Sequence, residues 1–336
     1  MTLTARASLR IATNLFFFII ILTSIKQANA SVKEQDKADS WQWLPEAQHP
    51  CTIQRYTLDE IYETFGPEGV PALHETPLVV VANGNDKLRQ LTQEDTILSN
   101  FPPNFTVTLS SSNSFSQHRR TVPLETYLDE MSHNNGITSP HQLSNESWYL
   151  FGETFTEDWK QVTKHYELPP GQTCQPEYVA LSFGVGNRGS GVQWHIHGPG
   201  FSEALHGRKH WVLYPPHYSP PFFHHDQSTR NWMEYTYTNE TKLRLYHADF
   251  LLKQQQQDVW QKQDKQHSIL PNGRPYECTL EPGDLIYFPD RWHHATLNCD
   301  PYTAFISTFT SDHLYLQDDQ KRQKTGNKEG LFRREL

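Results

Sequence analysis

The spacing of apolar residues changes along the chain from a helical pattern to a strand pattern. Leu58–Phe65 has apolar residues at positions 58, 61, 62 and 65, which is the spacing of a helix with one buried face. Leu124–Met131 shows the same spacing, whereas Leu78–Ala82 is a β-branched run typical of a buried strand. Residues 31–145 are therefore predicted to form a mixed α/β part.

Short apolar segments separated by Gly, Pro and Asn dominate residues 146–310. Many short strands with turns between them favour a closed or two-sheet β architecture. The candidate strands are Trp148–Phe151, Tyr178–Phe183, Val192–His197, His210–Tyr214, Tyr276–Leu280, Asp284–Phe288 and Ala304–Thr308. A polar, Gln-rich stretch at about residues 215–275 is predicted to be an exposed insertion that contains a helix. Residues 311–336 are predicted to be a charged tail.

The N-terminal segment has the pattern of a secretory signal. Arg6 and Arg10 precede the apolar run Ile11–Ile25, and Ala28-Asn29-Ala30 is a small-x-small cleavage site. The alternative is an uncleaved membrane anchor, but the run is shorter than the roughly 20 apolar residues that a span needs. Residues 1–30 are predicted to be removed, and no membrane span is expected in the rest of the chain.

Two further features agree with the secretory pathway. The sequence contains three Asn-x-Ser/Thr glycosylation sequons, at Asn104, Asn145 and Asn239. The chain ends Arg-Arg-Glu-Leu at residues 333–336, which is similar to retrieval signals of the endoplasmic reticulum. A charged tail that ends in Glu-Leu by chance is the alternative. The predicted location is the lumen of the endoplasmic reticulum.

The four cysteines suit an oxidising compartment but do not fix a pairing. Cys51, Cys174, Cys278 and Cys299 contain no Cys-x-x-Cys pair, so a zinc ribbon or a thioredoxin-like motif is not indicated. They allow up to two disulfides in three connectivities, and buried free thiols are the alternative.

The charge of the mature chain limits its partners. The full sequence has a formal charge of −9, and removal of three basic signal residues leaves −12. An acidic surface argues against nucleic acid as a partner. A protein partner or a protein substrate in the lumen is expected instead.

Eighteen histidines prompt a search for metal-ligand spacing. In Gly191–Gly198 (GVQWHIHG), His195 and His197 are two residues apart, so on a strand both would lie on one face. The distant segment Pro289–His294 (PDRWHH) supplies further histidines. Three ligands from two strands can occupy one face of an octahedral ion, as in the facial-triad iron oxygenases.

Two long motifs resemble the JmjC family. Phe201–Pro216 reads FSEALHGRKHWVLYPP, and Glu281–Asn298 reads EPGDLIYFPDRWHHATLN. The resemblance extends upstream through Ser147–Trp159 (SWYLFGETFTEDW) to Cys51–Thr57 (CTIQRYT), and it points to a lumenal branch of the family. It implies a mainly β fold, the double-stranded β-helix or cupin-like jelly roll, with the α/β part at its N-terminus.

The resemblance also implies Fe(II) and 2-oxoglutarate as cofactors. His195 matches the first metal ligand of the family, and His294 matches the distal one in its Pro-x-x-Trp-x-His frame. Lys209 matches the lysine that pairs with the distal carboxylate of 2-oxoglutarate, and Tyr149 is a second candidate contact to that carboxylate. With His197, the predicted metal ligands are His195, His197 and His294.

Two positions depart from the JmjC pattern. His197 stands where the family has Asp or Glu, and Val192 stands where many members have Thr or Ser to bind the co-substrate. An imidazole in place of a carboxylate leaves the ion with one more positive charge and changes the electron donation to it. Since three-histidine sites hold Fe, Zn or Ni, metal binding is expected to survive, whereas turnover of 2-oxoglutarate is expected to be weak or absent.

Two functions therefore compete. The first is a lumenal JmjC-fold protein that acts by binding protein partners. The alternative is an Fe(II)/2-oxoglutarate-dependent protein hydroxylase of the secretory pathway. A nuclear histone demethylase is opposed by the signal segment and by the acidic charge.

Overall fold

The structure is a computed structural model, and residues 51–310 supply everything described below. Within that range it describes residues 51–111, 118–133, 148–152, 154, 156–174, 179–221, 227–238, 241 and 274–310. The predicted signal at 1–30, the tail at 311–336 and the Gln-rich part of the insertion lie outside the described residues.

The described residues contain three β-sheets. The largest has the strand order β1-β2-β10-β7-β12-β6, and two three-stranded sheets have the orders β11-β8-β9 and β4-β3-β5. In chain order, the strands are β1 (Gln54–Thr57), β2 (Leu78–Val81), β3 (Thr106–Ser111), β4 (Arg119–Pro123), β5 (Trp148–Tyr149), β6 (Ala180–Gly186), β7 (Gly200–His206), β8 (Lys209–Tyr214), β9 (Tyr276–Leu280), β10 (Asp284–Phe288), β11 (His293–Asn298) and β12 (Thr303–Phe309).

The six-stranded sheet and the β11-β8-β9 sheet share one hydrophobic core. Val79, Ile286 and Phe288 from the large sheet cluster with Trp211 and Leu213 from β8. Apart from the pairs β1-β2 and β8-β9, neighbouring strands in both sheets are not consecutive in the chain, as in a two-sheet jelly roll. The predicted jelly roll is therefore confirmed.

Helices and loops cover the outer faces of these sheets. The described helices are α1 (Leu58–Phe65), α2 (Asp86–Leu91), α3 (Leu124–His133), α4 (Glu157–Thr163) and α5 (Thr229–Tyr235). Because both faces are covered, β8 and β10 are buried at every position and do not alternate between apolar and polar residues. None of these helices is long and apolar enough to cross a membrane.

The predicted helix over Leu58–Phe65 begins and ends where the apolar spacing placed it. Its capping residue Thr57 accepts a hydrogen bond from the Glu60 backbone N–H at 3.2 Å, and Thr57 N–H donates to Glu60 Oε2 at 2.7 Å. This Thr-x-x-Glu capping box satisfies two backbone groups that a helix start leaves unpaired.

One disulfide connects the beginning of the described chain to the barrel. Cys51 and Cys278 are bonded across a sequence separation of 227 residues. Cys174 and Cys299 are buried free thiols. The expectation of a disulfide therefore holds for Cys51 and Cys278, and the alternative of buried free thiols holds for Cys174 and Cys299.

One predicted strand was wrong. Val192–His197 is not a continuous strand, and only His195 forms a β-bridge there, with His294. The next section gives the physical reason. Five strands were also missed, namely β1, β3, β4, β7 and β11. Two of them belong to the barrel around the site: β7, where Glu203 is buried within the sequence GFSEALH, and β11, which begins at the end of the second histidine motif.

Candidate metal centre

A β-bulge brings His195 to His294. The Val192 carbonyl accepts from Thr296 N–H at 2.8 Å, whereas His195 and His294 exchange two backbone hydrogen bonds of 3.0 Å each. Val192 and His195 are three positions apart, whereas their partners on β11, Thr296 and His294, are only two positions apart. One extra residue therefore lies between Val192 and His195. An extra residue of this kind re-aims the side chains that follow it. It also prevents the regular ladder that the strand prediction assumed.

Each of the three predicted metal ligands is fixed by a hydrogen bond to a backbone carbonyl. The Nδ1 atoms of His195, His197 and His294 lie 2.7, 2.7 and 2.8 Å from the carbonyl oxygens of Gln193, Gly198 and Trp292, respectively. A carbonyl oxygen only accepts, so Nδ1 carries the proton in every ring. In the neutral rings the three Nε2 atoms therefore keep a lone pair that can bind a metal, and the carbonyls bonded to Nδ1 hold the rings in orientation.

The histidine cluster, meaning His195, His197 and His294, converges on one point. One ligand nitrogen from each ring lies within 4.8 Å of the other two. Nε2 of His197 is 3.2 Å from Nε2 of His294. Two nitrogens bound to one ion at about 2.1 Å would be roughly 3.0–3.4 Å apart. The residues therefore fit a divalent transition metal.

Aromatic rings immobilise the cluster. His294 stacks on Trp211 and on Phe288, with ring centroids 5.7 and 5.2 Å away. His197 meets Phe288 and Phe309 edge to face at 5.0 and 5.1 Å. Burial and the neighbouring imidazoles lower the pKa of His294 well below its usual range, so this ring stays neutral near pH 7. Neutral imidazole is the form that binds metal.

Lys209 shares a cavity with the cluster. Its Nζ donates to Asn298 Oδ1 at 2.9 Å and lies 3.6 Å from the centre of the Phe305 ring. The side chain is 1% exposed, and burial lowers the pKa of Lys209 to about 7. The described residues that line the cavity are Phe151, Val192, His195, His197, Lys209, Trp211, Phe288, His294, Thr296, Phe305, Ser307 and Phe309. None of those twelve is acidic.

The cavity is narrow. With its open mouth included it encloses about 270 Å³, but its walls leave room for roughly one or two water molecules. 2-Oxoglutarate has ten non-hydrogen atoms, so the side chains that line the cavity would have to move apart to admit it. The cluster thus suits a metal ion, whereas the space beside it suits the family's co-substrate only after such a movement.

The other predicted contacts lie outside or at the edge of the cavity. Tyr149 is 2% exposed and stacks on Phe151, and it is not among the described lining residues. Its contact with a co-substrate stays a prediction. Val192 does line the cavity, and its backbone N–H donates to Thr296 Oγ1 at 3.0 Å.

Two of the remaining histidines near the motifs have structural partners. His210 contacts Thr279 Oγ1 at 2.9 Å and Glu277 Oε2 at 3.2 Å. His206 contacts the Arg89 carbonyl at 3.0 Å. His293 is half-buried and outside the cluster.

Sequence reasoning missed Thr296, which lines the cavity, and Asn298, which accepts the hydrogen bond from Lys209. Asn298 and Thr296 lie on β11, and Asn298 pairs in register with Lys209 of β8. Neither residue stands at a family ligand position, so the only signal for them is the pairing of β8 with β11. That pairing joins segments almost ninety residues apart, which local patterns do not reveal.

Comparisons with known proteins show the family of the chain. The chain matches the family described as Cupin-like domain over residues 71–310. It is 37% identical to JmjC domain-containing protein 8 of Rattus norvegicus, over 77% of this chain and 82% of the relative. The human protein of that name is 36% identical over 77% of this chain and 83% of its own length.

A more distant relative covers less of the chain. The lysine-specific demethylase JMJ21 of Arabidopsis thaliana is 28% identical over 51% of this chain and 17% of its own length. The family match and the long alignments together identify the chain. It belongs to the cupin-like JmjC family, in the group of JmjC domain-containing protein 8.

Proposed function

We propose that this chain is a metal-binding JmjC protein of the endoplasmic reticulum lumen that acts through protein partners, with weak or absent turnover of 2-oxoglutarate. The observation that carries the proposal is the convergence of three imidazoles on one point in a narrow cavity whose walls would have to move to admit 2-oxoglutarate. A transition metal has its ligands there, but the co-substrate has no space without that movement.

Three features support the lumenal location. The sequence begins with a signal-like segment, Asn104 is an exposed sequon residue, and Cys51 is bonded to Cys278. Disulfides persist in oxidising compartments such as this lumen. The acidic charge supports a protein partner over nucleic acid.

The second candidate function is an Fe(II)/2-oxoglutarate-dependent protein hydroxylase. Lys209 favours it, because a buried cation in the metal cavity is the expected partner of a carboxylate. His195, His197 and His294 would hold the iron, which would supply oxygen activation when bound. The chain's own contribution would be to hold the metal and to neutralise a carboxylate at Lys209.

The experiment that separates the two is an uncoupled turnover assay on secretory-expressed protein loaded with Fe(II). Succinate formed from 2-oxoglutarate is compared between the wild type and His294→Ala, with bound metal measured in both samples. The proposal expects metal in the wild type and succinate at the level of the variant. If the wild type forms succinate well above that level, and Lys209→Ala does not, the result would favour the hydroxylase over the proposal.

A further inference from the structure

We infer that the metal cavity binds a small monoanion, of the size of azide, formate or hydrogen carbonate, in place of the family's dicarboxylate. The inference rests on the proposed function, since it requires the metal ion. It concerns what occupies the coordination positions that the three histidines leave open.

The first argument is charge. In the metal-bound state the imidazoles of the histidine cluster would be neutral, because each Nδ1–H donates to a carbonyl and an Nε2 that binds an ion carries no proton. Lys209 adds a further positive charge when it is protonated, and no described lining residue is acidic. A divalent ion would therefore bring at least two uncompensated positive charges into a pocket walled by aromatic rings. Buried charge of one sign requires a counter-charge.

The second argument is size. Trp211 and Phe288 stack on each other at 5.6 Å and both stack on His294, so this wall is closed. Phe305 lies under the Lys209 ammonium. Room for roughly one or two water molecules admits an anion of about three or four non-hydrogen atoms. A five-carbon dicarboxylate would have to displace these rings.

The third argument is the supply of donors. The Lys209 ammonium has three N–H groups, of which one donates to Asn298 Oδ1. Thr296 accepts from the Val192 N–H, and its own hydroxyl proton has no acceptor among the described residues. Ser307, by contrast, already donates to Ser202 Oγ at 2.9 Å. Lys209 and Thr296 are therefore the side chains that would hold the anion beside the metal.

The test uses Co(II) as a spectroscopic probe of the full secreted chain. Bound cobalt is first quantified, and the visible absorption of Co(II) is then followed during titration with sodium azide, sodium formate or 2-oxoglutarate. The variants are Lys209→Met and Thr296→Val, and Lys160→Met is the matched control because the Lys160 side chain is 62% exposed on α4.

Azide and formate should shift the spectrum in a saturable way, and 2-oxoglutarate should not. Lys209→Met should weaken azide binding by about tenfold or more, since it removes a hydrogen bond from a charged donor. Thr296→Val should weaken it less, and Lys160→Met should leave it unchanged. Circular dichroism and cobalt content verify that each variant is folded and loaded.

The contrary outcomes are distinct. If the wild type binds no cobalt, the proposed metal site is wrong and the anion site falls with it. If cobalt binds but azide gives no saturable change, or if azide affinity is equal in Lys209→Met, Thr296→Val and the wild type, the metal site stands and the anion site is refuted. A saturable shift with 2-oxoglutarate that Lys209→Met abolishes would assign the cavity to the dicarboxylate.

Discussion

His197 and His294 direct their Nε2 atoms at each other across 3.2 Å. Both rings carry their proton on Nδ1, which donates to a carbonyl, so the two facing nitrogens are both acceptors. Two lone pairs at this distance repel unless a cation lies between them. His195 completes the arrangement, and a metal ion is the cation that three such nitrogens would share.

Replacing His197 with Asp should leave the metal in place and weaken the anion site. An Asp at this position restores the family's carboxylate, so the centre loses one positive charge and needs an external anion less. We expect full cobalt content in His197→Asp and an azide affinity about tenfold lower than in the wild type. Azide affinity that is equal or higher would show that the cavity charge does not drive anion binding.

Glu203 should make stability depend on pH. This carboxyl is fully buried on β7 and accepts one hydrogen bond from Asn85 Nδ2 at 2.8 Å, and burial raises the pKa of Glu203 to about 7. The folded state therefore holds the proton more tightly than the unfolded chain. Its stabilising effect is complete below the unfolded pKa and is lost as the pH rises through about 7, by an amount on the order of 3 kcal/mol.

Glu203→Gln removes this titration while keeping the size of the side chain. The free energy of unfolding of the variant, minus that of the wild type, should become more positive between about pH 5.5 and about pH 8. Urea denaturation at both pH values measures the difference. Glu157→Gln, on the exposed surface of α4, is the control and should show no such change. A difference that stays constant with pH would contradict the burial argument.

The disulfide should contribute a large share of the stability. A bond between Cys51 and Cys278 restricts the unfolded chain across a separation of 227 residues and secures β1 to the barrel. Cys51→Ser with Cys278→Ser should lower the unfolding free energy by about 2–5 kcal/mol. Thiol titration of the denatured, unreduced wild type should find two thiols, those of Cys174 and Cys299. Four thiols would show that no disulfide forms, and zero would show two disulfides.

The location can be tested at Asn104. This residue is exposed in a turn with φ 61°, so an oligosaccharide transferase would find it accessible. In mammalian cells the chain should lose its signal near Ala30 and carry a glycan at Asn104 that endoglycosidase H removes. Asn104→Gln should abolish that portion of the mobility shift. A cytosolic chain that keeps its N-terminus and shows no change of mobility with endoglycosidase H would contradict the lumenal proposal.

Much of the fold follows from the sequence, but the missed strands show where local patterns stop. Leu58–Phe65 carries its own helix signals, namely apolar spacing and a Thr-x-x-Glu cap. β7 and β11 carry none, because strands buried on both faces do not alternate and because Glu203 and His294 are buried polar residues.

Some parts of the candidate site could likewise be predicted from the sequence, and others could not. His195 and His197 were found by their spacing, and His294 and Lys209 by family resemblance. The bulge before His195 and the pairing of Lys209 with Asn298 depend on the register between distant segments. Register is set by the packed barrel, so the narrowness of the cavity could not be read from the chain.

Metal content is the most direct test of the account. Secretory-expressed protein, purified without chelators and without a histidine tag, is analysed for first-row transition metals, together with His294→Ala and the adjacent control His293→Ala. We predict about one metal ion per chain in the wild type and in His293→Ala, and almost none in His294→Ala. Metal retained in His294→Ala would contradict the account. So would folded wild type that binds no metal even after Fe(II), Zn(II) or Co(II) has been supplied.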